Sequence, residues 1–186
     1  MEIFFQYIDV MKADQEIVLK VSQDAPDSDN IIKFIEESFR WHNKQLKIVM
    51  NEKSVDLLPE MNQQRAYLKL SVERDFLVPS NKKFKNISEA FNFMKEGNQF
   101  LLPSIDPSLD LDIETSEGGR TLIVFVNNGE KVNSSQEAIF MIEAILMTAK
   151  EFNYEQVHFK GINEKQIGKW NLDQPINVPF SPNPIN

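Results

Sequence analysis

Apolar and polar positions alternate early in the chain. Ile17, Leu19 and Val21 fall two apart within residues 16–22, the period of a strand with one covered face. The acidic stretch 24–29, interrupted by Pro26, reads as a turn, and Ser28 or Asp29 is placed to cap a helix beginning near residue 30. From there to about Trp41 the period changes. Ile31, Ile35 and Phe39 recur four apart, with Ile32 and Phe34 widening the stripe, and this predicts an amphipathic helix. Residues 46–50 predict a short strand, and residues 55–59 a further one ended by Pro59. Residues 1–15 hold two apolar clusters, 3–5 and 7–11, with no clean period; strand and helix both stay open there.

The polar stretch 60–65 is the best internal boundary. Seven basic and 12 acidic residues precede Met61, and 13 basic and 16 acidic come after it, so charge character changes little across it. Beyond it, residues 66–70 and 76–79 predict strands around a charged turn. Asn86 or Ser88 caps a short helix, 89–95, that stops at Gly97. Residues 101–107 form a loop, because Pro103 and Pro107 each hold the preceding residue extended. Residues 109–115 alternate strictly, with Leu109, Leu111 and Ile113 opposite Asp110, Asp112 and Glu114, which predicts a strand with one wet face. A turn at 116–119 leads into Thr121–Val126, apolar on both faces. The pair predicts a hairpin of one outer and one central strand.

Ser134 or Ser135 caps the strongest predicted element, a helix through about Phe152; Ser134 with Glu137 has capping-box spacing. Ile139, Ile142, Ile145 or Leu146, Ala149 and Phe152 mark its main stripe. Its polar strip is narrow, centred on Glu137, Glu143 and Lys150, so the helix must be covered on more than one side. Residues 156–159 predict a last strand. The segment 175–186 carries four prolines and cannot be a regular helix. The fold class is α/β (α+β): a mixed, largely antiparallel sheet backed by helices. Residues 1–60 form an N-terminal α/β segment, either a subdomain or an extension of the main sheet; 61–170 form the main domain and 171–186 a Pro-rich tail. Strands 66–70 or 46–50, at a sheet edge, are the places where another chain could pair, giving a monomer or weak dimer.

Composition narrows the function. The 186 residues are 41% hydrophobic and 26% charged, which excludes collagen-like and wholly disordered classes. A net charge of −8 argues against nucleic-acid binding. The absence of cysteine removes disulfides, iron–sulfur clusters, thiolate zinc sites and a cysteine nucleophile. No window approaches 18 apolar residues, and the first residues carry no signal-peptide pattern.

Candidate chemistry is sparse. Asp110, Asp112 and Glu114 share a strand face, but a calcium site wraps oxygens round a turn and a glycosidase opposes two carboxylates across a cleft. They read as a solvated face. His42 and His158 are the only histidines and read as structural or surface residues. Ser134 and Ser135 read as caps, Gly118–Gly119 as a hairpin turn, and Lys82, Lys83 and Lys85 as a solvated loop. Phe4, Phe5 and Phe180 lie off the predicted buried faces, in segments that pack back onto the domain, meet a partner or stay disordered. No catalytic, cofactor-binding or metal-ligating residue is assigned, and no cofactor is expected.

Three stretches carry a family resemblance. The first is Ala66-Tyr-Leu-Lys-Leu70 through Phe76-Leu-Val-Pro79 and the short helix ending at Gly97. The second is Leu102-Pro103 before the carboxylate-bearing hairpin. The third is the long helix 135–152, with Thr148-x-x-Glu151-Phe152, then Val157-x-Phe159-x-Gly161. Their order is similar to the GerM domain over residues 61–170. The basic residue often found after the "LVP" strand is not cleanly placed, Lys82 and Lys83 being nearest, so no wall-ligand site is carried over. The run from Ile167 to Pro179, with Asn183-Pro184, resembles the extracytoplasmic region of anti-sigma-X factors of Gram-positive bacilli. The resemblance implies a non-catalytic sensory or interaction domain outside the membrane, with a protein or cell-wall partner. It also implies a membrane span upstream, and a cytoplasmic part outside these residues that alone binds the sigma factor. A sporulation or germination envelope protein of the GerM class, a cytoplasmic binding protein and a wall-glycan hydrolase are the competing readings.

Overall fold

The structure is a computed structural model that describes residues 8–12, 16–21, 45–50, 53–57, 63–71, 75–98 and 101–179. The chain divides into two compact units, Met1–Met61 and Asn62–Asn186. In the first, strands β1 (Ile8–Lys12), β2 (Glu16–Val21), β3 (Gln45–Met50) and β4 (Lys53–Leu57) form one sheet in that order. β1–β2 and β3–β4 are antiparallel, whereas β2 and β3 run parallel with Ile17 beside Leu46. Residues 8–11 of the apolar cluster at 7–11 thus belong to a strand. The helix expected over 29–41, His42, Phe4, Phe5 and Phe180 lie outside the described residues.

The second unit opens with a hairpin of β5 (Arg65–Ser71) and β6 (Asp75–Lys83). Helix α1 (Ile87–Glu96) comes after it. Asn86 caps this helix, its side chain accepting from Glu89 N–H at 2.9 Å, and Ile87, Ala90, Phe91 and Met94 form its buried stripe. Next come β7 (Leu111–Thr115) and β8 (Thr121–Val126), then helix α2 (Gln136–Glu151) and β9 (Gln156–Lys160). Two short pieces, β10 (Gln166–Ile167) and β11 (Trp170–Asn171), pair with each other, and β12 (Ile176–Asn177) pairs with β9. The main sheet runs β12-β9-β8-β7, with β8 and β9 parallel because α2 connects them. Among the described residues the strands fall into four sheets, of which β12-β9-β8-β7 is the mixed sheet of the second unit. The small sheets are hairpins closed by their own turns.

Helix α2 lies at the centre of this unit. Met141, Ile142 and the whole run Ala144–Ala149 are buried, and so is Glu151. The buried row of the main sheet, Leu122, Val124, Val157 and Phe159, forms part of the same core. Each large apolar side chain among them contributes about 1.5–3 kcal/mol by leaving water. On α2, β5 is bound by hydrogen bonds, and the β10–β11 hairpin is tied by the Lys169–Glu143 ion pair at 3.4 Å. Cover on more than one side is therefore present, as the narrow polar strip of α2 requires.

Both strands expected to offer a pairing edge are otherwise engaged. β3 lies between β2 and β4. β5 pairs on its second side with the loop, where Lys69 N–H donates to Leu102 O at 3.1 Å and Leu102 N–H to Lys69 O at 2.8 Å. Ala66, Tyr67 and Leu68 are buried in succession, without alternation, and both helices pack against β5.

Candidate interaction site

Loop 101–109 crosses between α1 and the start of α2. Its backbone is tightly held. Met94 O accepts from Ser104 N–H at 3.0 Å and Ile105 N–H at 3.2 Å, and Ser104 Oγ donates to Tyr67 O at 2.6 Å in the interior. Lys95 Nζ donates to Leu109 O at 2.7 Å, and Asn128 Nδ2 to Ser108 O at 2.8 Å. Between this loop, residues 131–133 and the first turns of α2 lies an open cleft of about 230 Å³. Ile105, Leu109, Val132 and Met141 give it an apolar lining; Lys69 and Lys131 bring positive charge and Glu137 negative. The volume is below the roughly 300 Å³ at which pockets enclose small-molecule ligands. It suits one or two side chains of a partner.

Two of the polar groups there have structural roles. Ser135 caps α2, its Oγ accepting from Ala138 N–H at 3.2 Å. Of the two serines it is the cap, so the Ser134–Glu137 capping box does not form. Asp106 accepts from Ser108 N–H at 2.8 Å, and this bond, with the Ser108 side chain and then Lys131, holds its carboxyl below the ordinary range.

Asp112 and Glu114 are exposed on the outer side of β7, as alternation predicts, whereas Asp110, also exposed, precedes the strand, which begins at Leu111 and not at Leu109. Asn127 Nδ2 donates to Asp110 Oδ2 at 3.1 Å and Asp112 Oδ2 at 2.8 Å. One amide nitrogen thus bridges the two carboxylates. His158 is half-buried on the outer face of β9; burial and then Lys160 lower its pKa. Among the described residues no three His, Cys, Asp or Glu gather as metal ligands. Lys82 and Lys83 stand at the end of β6, not in a loop, and Lys82 Nζ lies 5.1 Å from the Phe84 ring centroid and 5.6 Å from that of Phe93. Gly118–Gly119 does turn the β7–β8 hairpin, Gly119 N–H donating to Ser116 O at 2.8 Å.

In the sequence Glu151 figured only within the Thr148-x-x-Glu151-Phe152 motif and was given no role of its own. It is fully buried at the C-terminal end of α2, where its Oε2 accepts from Gln63 N–H at 2.8 Å and its Oε1 from the Tyr67 hydroxyl at 3.4 Å. The signal was present: Glu151 and Thr148 lie on the apolar side of the helix.

The cleft is open and lined by both apolar and charged side chains, and among the described residues no metal-ligating cluster stands beside it. No family model matches the sequence, and no solved structure matches it. A curated protein does: the anti-sigma-X factor RsiX of Bacillus subtilis (strain 168) is 30% identical over 191 residues, spanning 92% of this chain. The chain covers 52% of that protein, about half its length.

Proposed function

We propose that this chain is the extracytoplasmic sensory or interaction part of a membrane-anchored anti-sigma factor governing envelope-related genes. The observation that carries the reading is the likeness to RsiX along nearly the whole chain. The structural roles of Ser135 and Asp106 support its non-catalytic character, and the cleft beside α2 offers a partner surface. On this reading a membrane span and a cytoplasmic sigma-binding part belong to the same polypeptide. A protein or cell-wall component outside the membrane is the partner, and the GerM-like order of motifs describes the main domain.

Two measurements in the native gene test it. Alkaline phosphatase fused after Asn186 is expected to be active and a green fluorescent protein at the same point dark, because only the former matures outside the membrane. Deleting residues 62–186 is expected to alter a sigma-dependent reporter's response to envelope stress while leaving sigma binding intact. A bright fluorescent fusion with inactive phosphatase would refute the location. An unchanged reporter with a sporulation or germination defect would move the assignment to the GerM-class envelope proteins.

A further inference from the structure

The main sheet buries one face within the domain and turns the other outward. The registers define that outer face. Asp112 of β7, Phe125 of β8 and Lys160 of β9 form one row across the strands; Glu114, Ile123 and His158 form the next. Leu122, Val124 and Val126 point the other way and are buried, whereas Ile123 and Phe125 are only partly covered and Asp112, Glu114 and Lys160 are exposed. A wet sheet face ordinarily carries polar side chains. Here the central strand presents Ile123 and Phe125, with an acidic strand on one side and a basic one on the other. Glu114 and His158 have no ion pair or side-chain hydrogen bond among the described residues. Asp112 accepts from Asn127 Nδ2, and Lys160 Nζ lies 5.6 Å from the Phe125 ring centroid.

That layout is self-complementary under one symmetry operation. A two-fold axis along β8, lying between two copies placed face to face, keeps each row over itself and exchanges β7 with β9. Asp112 then faces Lys160 of the second copy, Glu114 faces its His158, and Ile123 and Phe125 meet their own equivalents near the axis. The other in-plane axis, across the strands, stacks β7 on β7 and sets carboxylates against carboxylates. Aligned sheets pack about 10 Å apart, a gap that Lys–Asp and His–Glu side chains span.

We propose that the outer face of β7-β8-β9 is a homodimer interface, joining two copies of this chain sheet to sheet with Asp112 paired to Lys160 across the axis. Three five- or six-residue strands cover much less than the ~800 Å² per partner of a standard interface, so the dimer is weak, with a Kd of roughly 0.1–1 mM. The assignment is independent of the anchored anti-sigma reading and stands or falls by itself.

Sedimentation equilibrium of the full chain, from about 10 μM to 1 mM, tests it. The wild type is expected to shift from monomer to dimer across that range. Asp112→Lys and Lys160→Glu each place two like-charged pairs in the dimer and are expected to weaken it about tenfold. An equimolar mixture of the two variants restores attractive pairing in the heterodimer and is expected to associate better than either component. Phe125→Ser is expected to abolish association. All three positions are on the outer face, and near-UV circular dichroism verifies the folds. A wild type that stays monomeric at 1 mM overturns the proposal. So does a mixture that associates no better than its components, since reversal of charge would then act without regard to position.

Discussion

The backbone N–H of Tyr67 on β5 donates to Thr148 Oγ1 on α2 over 3.0 Å, in the interior of the second unit. Tyr67 is 1% exposed and Thr148 fully buried. The residues are 81 apart in sequence, and the bond fixes the hairpin to the helix at one register. Thr148→Val keeps the shape and removes the acceptor. A buried donor that loses its partner costs about 1–3 kcal/mol. Urea unfolding is expected to show that loss with an unchanged slope, and Thr148→Ser, which keeps the oxygen, a smaller one.

The two serines before α2 separate cleanly. Ser135 caps the helix, so Ser135→Ala is expected to cost about 1 kcal/mol. Ser134 is exposed and outside the cap, and Ser134→Ala is expected to stay within about 0.5 kcal/mol of wild type. Thermal unfolding of the pair checks this. Equal losses would contradict the assigned cap.

Two glycines are fixed by their surroundings. Gly97 has φ +68°, and a Cβ there would lie 2.7 Å from Leu101 O; Gly161 has φ +83°, and its Cβ would lie 2.5 Å from Val126 O. Both obstacles are backbone, which cannot rotate aside. Alanine at either position is expected to cost about 2 kcal/mol or more. Gly118→Ala, with nothing within 4 Å, serves as the tolerated control in the same melting series.

Acid acts on stability through two groups in the same direction. His158 has a folded pKa below the ordinary 6.5, so near and below that value the unfolded chain binds the proton more readily. Stability is complete above about pH 6.5 and declines as pH falls toward the folded pKa. Asp106 is depressed below 3.8, so its contribution holds above that value and is lost as pH falls through its folded pKa. Denaturation midpoints measured from about pH 8 to pH 3 are expected to fall in both windows. His158→Gln is expected to remove the upper decline and leave the lower.

The motifs behind the family resemblance meet one another in space. Tyr67 of the first bonds Thr148 and Glu151 of the third, and the Gly97 turn closes against Leu101 and Pro103 beside the second. Gly161 packs on Val126. They specify how elements dock, which is why their order was readable while none of them pointed to a reaction.

Local period and capping chemistry, by themselves, determined where α1, α2 and most strands lie, that β7 has a wet side and β8 is apolar on both, and that α2 needs cover on more than one side. Those properties depend on residues a few positions apart, so one sequence contains them. Tertiary structure alone decided the partition into four sheets, the short strands β10 to β12, the engaged edges of β3 and β5, and the bonding of Glu151 to Gln63 and Tyr67. It also set Asp112 and Lys160 on opposite flanks of Phe125. These depend on which distant segments become neighbours, and pairings between residues tens of positions apart leave no period in the chain.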